Sequence, residues 1–197
     1  MDLILVRHAL PVRLEVAAGA VADPPLSEEG RVQASRLADW LASEGVDGLY
    51  TSPMRRAAET AAPLASRLRL AAVALPELVE RVHQSHEYVP LEELKATDYP
   101  RWRALVSDGG LYAGVDLVGF RRDVVMALEQ LIARHAGQRV VVTCHGGVIN
   151  AFTSHVLGTQ DLLVFEPAYT GISRFRAARS GERSVVSLNE VAHLRDP

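Results

Sequence analysis

The chain has 197 residues, 48% of them hydrophobic and 23% charged, with a formal net charge of -3. This suits one domain of about 100–200 residues, and so mildly acidic a balance argues against a general nucleic-acid binder. Cys144 is the sole cysteine and no apolar run nears the roughly 20 residues that cross a bilayer, so the composition points to a cytoplasmic protein with no disulfide, no membrane span and no signal segment.

Residues 3–7, a short aliphatic run, predict a buried strand. Ser27 followed by Glu28 and Glu29 predicts a helix N-cap with acids in the first turn. Val32, Leu37, Ala38 and Leu41 supply that helix's apolar stripe. Gly45 and Gly48 end it before a short strand over 49–52, and Pro53 suits the first turn of a second helix through Arg56, Ala57, Thr60 and Ala61. Residues 71–75 predict a strand that Pro76 stops.

From 76 to 114, three prolines and two adjacent glycines leave the least regular stretch, with one helix expected over 90–96. The stretch reads as an insertion over the active site within one domain spanning 1–197. Leu117, Phe120, Val124, Leu128, Leu131 and Ile132 mark one face of a long helix. Residues 139–143 give the strongest strand signal, Gly146-Gly147 lead into a helix over 148–156, and 172–177 with 184–188 read as a closing hairpin. Alternating strands and helices imply an α/β fold, a three-layer α/β/α sandwich around a mostly parallel sheet. Ligands of such sheets bind at the carboxyl ends of the strands, where His8 and His145 both stand.

Taken singly, the polar residues at these strand ends are weak signals. Lys95 is the only lysine among 21 basic residues, a richness in arginine that reads as compositional bias. About one Arg-His pair is therefore expected by chance. Arg134-His135 serves as the control, ending a helix before Gly137 where cations meet the helix dipole. Arg7-His8 differs in interrupting an apolar strand at its end. Arg56 follows a strand at a helix N-terminus suited to an anion, although an arginine on a helix is usually solvated. Cys144-His145-Gly146-Gly147 joins strand to helix, and its glycines admit close backbone approach. Glu80, in Leu78-Val79-Glu80-Arg81, is uninformative alone.

Five pieces stand in one order: Leu5-Val6-Arg7-His8-Ala9, Pro25-Leu26-Ser27-Glu28-Glu29-Gly30-Arg31-Val32-Gln33-Ala34, Ser52-Pro53-Met54-Arg55-Arg56-Ala57, Leu78-Val79-Glu80 and Val142-Thr143-Cys144-His145-Gly146-Gly147-Val148. Together they resemble the histidine phosphatase superfamily, the phosphoglycerate-mutase-like fold, from Leu3 to about Ala177. The resemblance implies His8 as a nucleophile that becomes phosphohistidine. It implies Arg7, Arg56 and His145, with Gly146 beside them, as the pocket for the phosphoryl oxygens, and Glu80 as the acid that protonates the leaving alcohol and then activates water. Arg56 is preferred to Arg55 because it directly precedes Ala57. Two positions depart from the family. Ala9 replaces its glycine, where a positive φ would be strained while the N–H stays available. The loop Leu10-Pro11-Val12-Arg13-Leu14 lacks its asparagine, for which Arg13 is the candidate substitute.

The chemistry also stands without the family. A loose phosphoryl-transfer transition state spreads charge over three oxygens, so fixed donors are the main need. Two guanidiniums and an imidazolium supply them with no metal or other cofactor. His8 must be neutral at its reacting nitrogen, with the other nitrogen on a backbone carbonyl, and His145 is expected to be protonated, a state favoured by the bound phosphate.

A phosphatase is favoured over a mutase, which needs a longer lid than 76–114 offers, and over a non-catalytic phospho-ligand binder, which needs neither His8 nor Glu80. A cysteine phosphatase would need an arginine where Asn150 stands. His83, His86 and Glu87 suggest a metal set or a group shaping the substrate entrance but read as loop surface, and Tyr88, Tyr99, Trp102 and Tyr112, which could line an apolar pocket, are expected instead to pack the insertion. The expected partner is a small phosphorylated substrate, neither nucleic acid nor membrane. Its identity and the oligomeric state are not legible.

Overall fold

The computed structural model describes residues 1–17, 19–81 and 86–195. In chain order it runs β1 (Asp2–Arg7), β2 (Leu14–Glu15), α1 (Glu28–Leu41), β3 (Gly48–Thr51), α2 (Arg55–Leu68), β4 (Ala72–Ala74), β5 (Glu87–Tyr88), α3 (Leu91–Thr97), α4 (Tyr99–Val106), α5 (Leu117–Arg134), β6 (Arg139–Cys144), α6 (Gly146–Leu157), β7 (Ile172–Ala177) and β8 (Arg183–Glu190). Six strands form one sheet in the order β4-β3-β6-β1-β7-β8. The first four are parallel and β7 and β8 close the far edge antiparallel.

Strand β1 is buried on both faces, which is why it reads as an unbroken aliphatic run. Leu3 and Leu5 pack with Phe120, Val124 and Leu128 of α5 and Phe152 of α6. Ile4 and Val6 face the other way, onto Leu37 and Leu41 of α1 and Leu64 of α2. Each such side chain, withdrawn from water, contributes about 1.5–3 kcal/mol. The result is the expected three-layer α/β/α sandwich.

Several details depart from the sequence reading. Ser27 caps α1, its Oγ accepting the Gly30 N–H at 3.0 Å, but Val32 is 52% exposed. The buried face instead uses Gly30, Ala34, Leu37, Ala38 and Leu41. That face is set by the 3.6-residue period from position 30, where a side chain would strike the Leu10 carbonyl. Helix α2 begins at Arg55, two residues after Pro53. Its first N–H, on Arg55, is taken by the Asp23 carboxylate at 2.9 and 3.1 Å.

Residues 76–114 hold more helix than expected. The helix expected over 90–96 is α3, and α4 follows it at once. None of the residues of α4 is buried, so it carries no apolar stripe, and Pro100 lies at its second position, where a missing N–H costs nothing. β5 pairs with β2, Leu14 against Tyr88, tying this segment to the loop after β1.

Candidate active site

The strand register builds the site. Arg7 of β1 pairs with Cys144 of β6, so the next residue on each strand, His8 and His145, emerge side by side with ring centroids 5.2 Å apart. Thr51 of β3 pairs with Thr143, which brings Ser52 alongside. The Ser52 N–H donates to the Thr143 carbonyl at 2.9 Å, and Ser52 Oγ lies 2.8 Å from His145 Nε2. Arg56, in the first turn of α2, points inward and is 2% exposed. Its Nε–H donates to His8 Nε2 at 3.2 Å. The His8 Nδ1 then donates to the Ala9 carbonyl at 2.9 Å. These two bonds together fix the tautomer: hydrogen on Nδ1, lone pair on Nε2.

Arg7 is held from behind. Its guanidinium carbon lies 3.9 Å above the Tyr169 ring, and Nη1 donates to the Pro167 carbonyl at 2.6 Å and to Glu92 Oε1 at 3.2 Å. The next loop residue, Thr170, has φ 53, a conformation costly for a β-branched residue. Its N–H donates to the Arg7 carbonyl at 3.1 Å and its hydroxyl meets His193 Nε2 at 2.9 Å, contacts that offset the strain and fix Tyr169 beneath Arg7.

Glu80 approaches from the segment after β4. Its Oε2 accepts the Gly147 N–H at 2.9 Å in the first turn of α6, and its buried Oε1 has no hydrogen-bond partner. Gly147 is required here: a Cβ would collide with Glu80 Oε1 and lie 2.5 Å from the Tyr112 hydroxyl.

Burial, then the positive charge of Arg56, the neighbouring His145 imidazole and the charge of Arg7, holds the His8 pKa well below the ordinary 6.5. Burial, then Arg56 and Arg7, does the same to His145. Burial pushes Glu80 the other way, above the usual carboxylate value, against the Gly147 bond and the arginines. Two imidazoles biased toward the neutral form, two guanidiniums and a carboxyl with a raised pKa therefore face one another.

The histidine phosphatase superfamily (branch 1) model matches residues 3–191. The chain belongs to that superfamily. It is 30% identical over 200 residues to phosphoserine phosphatase 1 of Hydrogenobacter thermophilus, spanning 98% of this chain and 94% of the relative. It is 28% identical over 184 residues to phosphoglycerate mutase-like protein 4 of Arabidopsis thaliana, spanning 88% and 78%. The fold is shared with a phosphoserine phosphatase of Entamoeba histolytica, solved with phosphoserine (TM-score 0.76, 22% identity, 98% and 99% covered). It is shared too with YhfR of Bacillus stearothermophilus (TM-score 0.78, 23% identity, 98% and 99% covered). The family and its phosphatase-named relatives support phosphatase activity.

In this superfamily member the structure brings Arg7, His8, Arg56, Glu80 and His145 together, with Gly146 opening α6 behind His145. Arg55 turns outward to Glu59, 2.7 Å away, consistent with the preference for Arg56. Arg13 is not brought into the cluster: more than half exposed, it pairs with Glu87 at 2.5 Å and approaches Glu93 at 3.9 Å. Ala9 avoids positive φ, but its N–H is not free as expected, because Thr60 Oγ1 accepts it at 2.9 Å. Burial and the two neighbouring guanidiniums lower the His145 pKa, so the protonated state expected of it depends on the negative charge of a bound phosphoryl group.

Of the imagined metal set, His83 lies outside the described residues, and Glu87 pairs with Arg13 and Arg101. Among the described residues no group of three or more ligand-type side chains is arranged for a metal ion. No described helix is long and apolar enough to cross a membrane.

Sequence reasoning missed Asp23, Glu92 and Tyr169 as pocket neighbours; nothing local marks them, since each arrives from a loop or the insertion through long-range packing. For Tyr88 and Tyr112 it preferred packing to pocket lining, yet the Arg56 guanidinium carbon lies 5.0 Å from the Tyr88 ring centre and Tyr112 abuts Gly147.

Proposed function

We propose that this protein is a phosphomonoester hydrolase that works through a phosphohistidine on His8, with Glu80 as general acid and then general base, and needs no metal. The observation that carries this reading is the His8 tautomer: Nδ1–H on the Ala9 carbonyl and an Nε2 lone pair beside Arg56. Such a nitrogen is already unprotonated, and its lone pair becomes available for attack when a phosphoryl oxygen takes over the Arg56 donor.

In the first step His8 Nε2 bonds to phosphorus as the ester P–O bond breaks, and Glu80 gives its proton to the departing oxygen. Burial keeps that proton on Glu80 at a pH where an exposed carboxyl has lost it. In the second step Glu80, now a carboxylate, takes a proton from water as its oxygen bonds to phosphorus and the P–N bond breaks. Inorganic phosphate leaves and His8 is restored.

The guanidiniums of Arg7 and Arg56 serve the phosphoryl oxygens, which take over donors that Glu92 and Asp23 engage here at 3.2 and 3.4 Å. His145 serves as a neutral donor: Ser52 Oγ accepts the Met54 N–H at 3.3 Å, so its hydroxyl hydrogen is free for His145 Nε2, leaving Nδ1–H for a phosphoryl oxygen. Residues 76–114 act as the cover of this pocket within a single cytoplasmic domain. Phosphoserine, named for relatives of the chain, is the first substrate to try.

The test is hydrolysis of p-nitrophenyl phosphate in excess EDTA by the wild type and His8→Ala, with acid-labile phosphoprotein measured after rapid quenching. Activity that survives the chelator, with loss of both activity and phosphoprotein in His8→Ala, is expected. An unchanged rate in the variant overturns the nucleophile assignment. Isomerisation of phosphoglycerate without net phosphate release would make the protein a mutase instead.

A further inference from the structure

Glu92 is a pocket group that the two chemical steps leave without a part. It lies in the first turn of α3, and its carboxylate reaches Nη1 of Arg7 at 3.2 Å while the side chain remains 44% exposed. One end of the group is therefore in the pocket and the other at the mouth. Arg7 is fixed by the Pro167 carbonyl and the Tyr169 ring. The helix carrying Glu92 is anchored by buried Leu94. When a phosphoryl group takes the Arg7 donors, rotation of the Glu92 side chain leaves its charge at the rim.

Tyr88, whose ring lies against Arg56, ends the short strand that leads through Pro90 into α3 and Glu92. Glu92 on Arg7 and Asp23 on Arg56 thus border both arginines of the phosphoryl pocket from its open side. A carboxylate placed there attracts a cationic leaving group and repels an anionic one. Asp23, 3.4 Å from Arg56 and 40% exposed, adds negative charge at the same mouth.

We propose that Glu92 sets the substrate class, accepting the ammonium group of a phosphorylated amino alcohol and disfavouring phosphoesters whose leaving group carries only a carboxylate. This rests on the phosphatase reading of the site.

The experiment compares kcat/KM for O-phosphoethanolamine and 2-phosphoglycolate, each normalised to p-nitrophenyl phosphate, in the wild type, Glu92→Gln and Glu92→Asp. The wild type is expected to prefer phosphoethanolamine. Glu92→Gln should shrink that preference about tenfold, and Glu92→Asp should keep most of it. A wild type that prefers phosphoglycolate, or the same normalised preference in wild type and Glu92→Gln, overturns the proposal. Failure of the wild type to hydrolyse even p-nitrophenyl phosphate instead overturns the phosphatase reading beneath it.

Discussion

Arg56 Nε and His8 Nε2 are joined by a hydrogen bond of 3.2 Å between two buried side chains on different elements. The bond runs from a permanent cation to the lone pair of a neutral imidazole, so it opposes protonation of His8 and aims the same nitrogen into the pocket. Helix α2 and strand β1 thereby jointly set the state of the residue proposed as nucleophile.

Replacing Arg56 by lysine keeps the charge but removes the planar fork and the Nε–H. For Arg56→Lys we expect kcat/KM toward p-nitrophenyl phosphate to fall by roughly 10²–10³, the scale of losing one preorganised donor. Steady-state kinetics alongside far-UV circular dichroism checks this. A loss below about threefold in a folded variant would show that Arg56 does not work through its geometry.

Gly147→Ala places a methyl group where Glu80 Oε1 and the Tyr112 hydroxyl now lie. The carboxyl must move, so protonation of the leaving group should fail first. We expect kcat to drop about 10²-fold for an alkyl phosphate, within the range of one general acid, and by much less for p-nitrophenyl phosphate, whose leaving group needs no proton. Equal losses on both substrates would point to general disruption of the pocket.

The Tyr169 ring supports Arg7 from 3.9 Å. Tyr169→Leu should raise KM about fivefold, corresponding to roughly 1 kcal/mol of lost cation–π stacking, whereas Tyr169→Phe keeps the ring and should keep KM. Phosphate inhibition constants offer an independent readout, rising in parallel with KM for the leucine variant only.

Folding stability should fall on the acid side. Burial lowers His193 to about 4, and His8 and His145 lie well below 6.5. In each case the unfolded chain binds a proton that the native state refuses. Stability is therefore full above pH 6.5 and is lost as pH falls from there toward 4. For His193 the loss at pH 5 is roughly 1–2 kcal/mol. Urea midpoints at pH 7 and pH 5 measure it, and His193→Gln should narrow the gap between them. A gap unchanged by that substitution would remove His193 from the account.

Much of the frame is legible in the order of residues alone. Local periodicity is decisive where an element is buried, as in the aliphatic β1 and β6 and the Phe120–Ile132 face of α5, because burial on a fixed face forces the apolar spacing. Where an element is exposed the signal fades. Helix α4 has no buried residue, and β4 is an exposed edge strand one residue shorter at each end than expected. Val32 departs from the expected stripe because a single apolar residue does not state which face it occupies.

The sequence by itself determined the layered α/β architecture, through buried aliphatic strands alternating with amphipathic helices, and it pointed to Arg7, His8, Arg56, Glu80 and His145 only through five short pieces standing in one family's order. Only the tertiary structure decided how those groups are charged and who stands beside them. It assigned the Arg13 side chain to Glu87 and the Ala9 N–H to Thr60. It set burial and two guanidiniums against a charge on His145 and brought Glu92 and Tyr169 onto Arg7. Protonation depends on burial and on charges within a few ångströms, and those distances arise when segments far apart in the chain fold onto one strand end.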